Sequence, residues 1–158
     1  MSHRFRRSLI AGPLAVCVAV AGSASIAHAS DAGLSASVKA DVPQITRTQA
    51  KVLDGLAAYE KTHSTSVLIK AIRAQDSNLE TLKSKLSGEA PSSATGTKAK
   101  AEIIKGLGLI VSSNKHLVND LQKGAAGKSV SKAQLRAVIA ADKKGNLDFN
   151  TGAKLLGV

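Results

Sequence analysis

The chain has 158 residues, with 22 Lys+Arg against 11 Asp+Glu and a single cysteine. This composition excludes a disulfide scaffold, an acidic disordered tail and a multipass membrane protein. With Phe5, Tyr59 and Phe149 as the only aromatic residues, the core must be aliphatic, and the length fits one domain.

The amino terminus reads as an export signal. Arg4, Arg6 and Arg7 precede an apolar run over 9–22, and Ala27-His28-Ala29 offers small residues at both positions that a signal peptidase reads. The run is shorter than the roughly 18–20 apolar residues that span a bilayer, so cleavage after Ala29 is expected, with exported localisation. Arg6-Arg7-Ser8-Leu9-Ile10 resembles a twin-arginine signal, and both that route and the general secretory route stay open. Cys17 lies inside the signal, so the mature chain has no thiol for catalysis, metal binding or cross-linking.

Residues 30–41 are expected to be flexible or weakly helical, and 42–158 to form the folded domain. Asp41-Val42-Pro43-Gln44 has the look of a helix start, with a cap residue and a proline in the first turn. Ile45, Val52, Leu56 and Tyr59 then make a helical stripe to about residue 62. After His63–Ser66, a second helix over about 66–87 carries Leu68, Ile72, Gln75, Leu79, Leu82 and Leu86 in alternating steps of four and three, and stops at Gly88. A polar loop leads to a cap at Thr97 and a third helix over about 98–123, with Ile103, Leu107, Ile110, Asn114, Leu117 and Leu121 on its stripe. Ser131-Lys132-Ala133-Gln134 forms a capping box for a fourth helix over about 131–144, ended by Gly145. The tail 145–158 would fold over the open end through Leu147, Phe149, Leu155 and Leu156. Short connections make sequential helices neighbours, so the expected fold is all-α: an antiparallel up-down four-helix bundle with a short C-terminal capping segment, preceded by a cleaved signal peptide.

The charge is unevenly placed. Residues 98–144 hold ten basic and three acidic side chains, whereas 30–97 hold eight and seven. On the third-helix stripe, Lys98, Lys105, Lys115 and Lys123 face away from the core. Together with Lys128, Lys132 and Arg136 they are the candidate residues for binding an anionic partner: a cell-envelope polymer or lipid headgroups. Lysine predominates and aromatic side chains are nearly absent, which argues against specific nucleic-acid recognition.

Gln75 and Asn114 are the polar members of their stripes. Each lies nine residues, about 13–14 Å, from the same end of the bundle, so an antiparallel pair brings the two amides to one level. They are expected to share a hydrogen bond or a water, or else to line a ligand pocket.

The histidines of the mature chain, His63 and His116, form no metal-binding spacing, and no Gly-x-Ser-x-Gly elbow occurs. Asp142–Phe149 resembles part of an EF-hand calcium loop, but Lys144 and Leu147 occupy positions that need an oxygen ligand and a glycine. No cofactor and no enzymatic activity are expected. The sequence points to an exported binding protein with a basic face on helices 3 and 4; the alternative is a carrier holding a small apolar ligand inside the bundle.

Overall fold

The computed structural model describes residues 31–158; the expected signal peptide, residues 1–29, and Cys17 lie outside the described residues. Four helices account for the architecture: α1 (Ala32–Thr62), α2 (Ser66–Gly88), α3 (Ala94–Ala125) and α4 (Lys132–Leu155). No strand occurs among the described residues.

Three boundaries differ from the sequence expectation. Residues 32–41, expected to be flexible or weakly helical, form the first turns of α1, because Leu34 and Val38 extend the Ile45–Val52 stripe backwards and are buried with it. Pro43 is therefore inside the helix rather than at its start. Its missing N–H releases the carbonyl four residues earlier, at Lys39, and both residues are exposed, so solvent can take that carbonyl. The helix ends at His63, which adopts the left-handed conformation (φ 57°) and donates its N–H to Tyr59 O at 2.8 Å.

The second difference is at the other terminus. The capping box of α4 is present, with Gln134 N donating to Ser131 Oγ (3.1 Å) and Ser131 N to Gln134 Oε1 (3.0 Å). The helix does not stop at 144 but runs through Gly145 to Leu155, so no separate capping tail exists. Phe149 and Leu156 enter the core as expected of the tail, whereas Leu147 is 65% exposed.

Gly145 is there for packing, not for a turn. A Cβ at Gly106 would lie 2.5 Å from Gly145 O and Phe149 N; one at Gly145 would lie 2.8 Å from Gly106 O; one at Gly152 would lie 2.6 Å from Ala99 O. Ser113 Oγ continues the series by donating to Val138 O at 3.0 Å. Ala99, Gly106 and Ser113 thus face Gly152, Gly145 and Val138, in steps of seven on both helices and in opposite directions. Small side chains at that spacing let two backbones touch, at the helix-propensity cost that each glycine carries.

The other neighbouring pairs meet through fewer contacts of this kind. α1 meets α2 through Asp41–Lys85 (2.8 Å), Thr48–Asn78 (3.4 Å) and Gly55 against the Leu68 backbone. α2 meets α3 through Asp76–Asn114 and Glu80–Lys115. The core has two apolar clusters. One gathers Leu34, Val38, Ile45, Leu79, Leu82, Leu86, Ile103, Leu107, Phe149 and Leu156; the other gathers Val52, Leu68, Ile72, Leu117, Leu121 and Val138.

At the end where α1 begins, two acidic residues exchange helix ends. Asp31 accepts from Ser92 N (3.2 Å) and from Ser93 Oγ, and Ser93 Oγ in turn accepts from Gly96 N (2.9 Å), so Ser93 rather than Thr97 caps α3. Glu89, just after α2, accepts from Ser37 Oγ (3.1 Å) in the first turns of α1. Each carboxylate sits where a helix N-terminus favours negative charge.

Candidate functional site

Helices α3 and α4 segregate their charges by depth. Asp120, Asp142 and Asp148 are buried, whereas Lys98, Lys105, Lys115, Lys123, Lys128, Lys132, Arg136, Lys143, Lys144 and Lys154 are exposed.

The lysines differ in what they have left to offer. Lys105 bridges to Asp148 (3.1 Å) and Glu102 (3.3 Å), Lys115 to Glu80 (2.9 Å), Lys123 to Asp120 (3.6 Å) and Lys144 to Asp148 (3.6 Å). The hydrogen bonds to these carboxylates raise the affinity of Lys105 and Lys115 for their protons, and Lys115 holds the Glu80 carboxyl below its usual range. Among the described residues, Lys98, Lys128, Arg136, Lys143 and Lys154 enter no ion pair.

The seven cations singled out in the sequence are not gathered into one patch. From Lys98 to Lys123 they stretch along α3 for about 37 Å. Lys128 lies in the following loop, and Lys132 and Arg136 lie at the start of α4. Lys143, Lys144 and Lys154 complete the exposed face of α4, and a helix ending at 144 leaves no such face to complete.

Gln75 and Asn114 are 1% and 2% exposed, and Asn114 Nδ2 approaches Gln75 Oε1 at 3.5 Å. Its stronger bond goes to a third residue: Asn114 Nδ2 donates to Asp76 Oδ1 at 2.7 Å. Gln75 Nε2 has no partner among the described residues. The trio lies where one apolar cluster gives way to the other, between Ile72 and Leu79 on α2 and between Val111 and Leu117 on α3. Burial pushes the Asp76 carboxyl up to about 6, against the opposing pull of the Asn114 hydrogen bond and the Lys115 charge. Sequence reasoning misses Asp76 because it sits at the margin of its stripe, where a charged residue reads as surface.

Two open grooves border these elements. One, of about 510 Å³ between α2 and α3, is lined by Arg73, Asp76, Ser77, Glu80, Lys115 and Asn119 among others. The other, of about 420 Å³ between α3 and α4, is lined by residues including Ser113, His116, Asn119, Asp120, Lys123 and Gln134. Their walls combine charged and amide groups with apolar surface from Val118 in the first groove and Ala137, Val138 and Ala141 in the second.

Asp142 is the most buried carboxylate of α4. Asn146 Nδ2 donates to its Oδ2 (3.2 Å) and its backbone carbonyl (2.9 Å), but burial dominates and pushes its carboxyl up to about 7. The calcium-loop resemblance over Asp142–Phe149 falls in the middle of a continuous helix. Among the described residues, no group of three or more His, Cys, Asp or Glu side chains is placed to hold a metal ion. No described helix is long and apolar enough to cross a membrane. No family model, curated protein or solved structure matches the chain.

Proposed function

We propose that the chain is an exported up-down helical bundle that acts by binding rather than catalysis, its basic faces on α3 and α4 holding an anionic component of the cell envelope. The observation that carries this is the sorting of charge by depth: three aspartates of α3 and α4 are buried while their lysines and Arg136 stay at the surface. With ten basic against three acidic side chains over 98–144, this part of the chain carries a net positive charge, and its exposed cations outside ion pairs, Lys98, Lys128, Arg136 and Lys143, are placed to meet a partner. Lysine, a flexible point charge, suits a polymer or a headgroup layer without a fixed shape.

The test is retention on an immobilised soluble polyanion such as heparin as salt rises. Removing Lys98, Lys128 and Arg136 together by substitution with Gln should lower the eluting salt concentration clearly. Substituting Lys105 and Lys115, already ion-paired, should lower it less. Equal elution of the wild type and both variants, or no retention at low salt, overturns the proposal.

A further inference from the structure

The outer face of α4 has a feature that charge alone does not explain. Leu147 follows Val138 by nine residues, two and a half turns, so it points directly away from the buried side. At 65% it is the most exposed of the large hydrophobic side chains noted at the surface. Its helical neighbours on that face are Lys143, Lys144 and Thr151, with Arg136 and Lys154 further along the same side. The two acidic residues of α4, Asp142 and Asp148, are both buried. An apolar side chain thus stands in the middle of a cationic strip with no exposed carboxylate on its helix.

We infer that this face of α4 docks flat on an anionic lipid surface, with Lys143, Lys154 and Arg136 at the headgroups and Leu147 entering the acyl boundary. The inference rests on the anion-binding function proposed above and commits it to lipid. Charge complementarity selects an anionic layer, and the long lysine stems let their ammonium groups reach headgroups while the chain between them approaches the apolar region. A soluble polyanion satisfies the lysines equally but gives Leu147 nothing to enter. The lipid surface is the anionic partner that uses both parts of the face.

The chain has no tryptophan, so Leu147→Trp places one fluorophore at the proposed contact and reports that position alone. With phosphatidylglycerol-containing vesicles at low salt its emission should shift to the blue, and phosphatidylcholine vesicles should leave it unchanged. A second single-tryptophan protein, Leu53→Trp, marks an exposed site on α1 and should not respond. Adding Lys143→Gln and Lys154→Gln to the Leu147→Trp protein should abolish the shift. In the otherwise native chain, Leu147→Ser should weaken partition into the anionic vesicles about tenfold and leave heparin retention unchanged. If the emission of the Leu147→Trp protein does not shift while heparin retention persists and depends on the lysines, the lipid assignment falls and the anion-binding function survives. If neither vesicles nor heparin is bound, both fall. An equal shift in the Leu53→Trp and Leu147→Trp proteins would place the contact elsewhere and overturn the inference.

Discussion

Gly106 and Gly108 lie two residues apart in one helix and should respond to the same substitution with opposite signs. Replacing a helical glycine by alanine stabilises the helix by up to about 1 kcal/mol, because the freer backbone of glycine loses more on folding. At Gly108 the nearest atom to a new Cβ is Lys83 Nζ at 3.6 Å, the movable end of a flexible side chain. Gly108→Ala should therefore keep most of the gain, about 0.5–1 kcal/mol. At Gly106 the new Cβ would meet Gly145 O and Phe149 N, both at 2.5 Å. Those are backbone atoms of a packed helix, so relief requires α3 and α4 to separate, which loosens the contacts at Gly145 and Gly152 as well. Overpacking of that kind typically costs about 1–3 kcal/mol, so Gly106→Ala should be net destabilising by about 1–2 kcal/mol after the propensity gain. The assay is equilibrium urea unfolding followed by circular dichroism. The two midpoints should move apart by roughly 1 M, one above and one below the wild type. If Gly106→Ala raises the midpoint as Gly108→Ala does, the close approach of α3 and α4 is wrong.

The buried carboxylates predict an inverted pH response. Asp142 and Asp76 are raised from 3.8 to about 7 and about 6, so the folded state favours their protonated forms. Their stabilisation is complete below about pH 4 and is lost as pH rises through 6 to 7. The melting temperature should therefore be higher at pH 5 than at pH 8, and Asp142→Asn should raise stability at pH 8 by up to roughly 3–4 kcal/mol and flatten the profile. A melting temperature that is flat or falls on acidification from 8 to 5 contradicts this. The polar trio predicts asymmetry between its amides: Asn114→Leu removes the donor to a buried carboxylate and should destabilise by about 1–3 kcal/mol, whereas Gln75→Leu removes a side chain whose Nε2 is already unpartnered and should be close to neutral. Equal losses in the two variants, read by chemical unfolding at pH 8, would show that Gln75 carries a bond of its own.

The helical pattern itself is plain in the sequence. Leu68, Ile72, Gln75, Leu79, Leu82 and Leu86 are all buried, as their four-and-three spacing dictates, and the level shared by Gln75 and Asn114 follows from helix rise alone. The ends are harder to read, because proline and glycine each have two physical uses. Pro43 suits a first turn but is also tolerated where the released carbonyl faces solvent. Gly145 suits a helix stop but is also what a close helix crossing demands. One sign in the sequence separates the two uses: the seven-residue steps Ala99, Gly106, Ser113 and Val138, Gly145, Gly152 match between helices. Asp76 leaves no comparable trace, since its burial depends on how α3 lies over the edge of α2.

The backbone-to-backbone seam of α3 and α4 also has a consequence in time. Where helices meet through long side chains, rotamer changes can absorb small movements. Where carbonyls and Cα atoms meet directly, nothing at the contact can rearrange without the whole pair parting. α3 and α4 should thus open as one cooperative unit, with their facing amides exchanging hydrogen only on global unfolding. Partial, more frequent openings belong to the junction of α2 with α3, which meet through side chains such as Asp76 with Asn114 and Glu80 with Lys115. The molecule divides by lifetime into a persistent α3–α4 pair that carries the cationic strip and an α1–α2 pair that parts from it more readily.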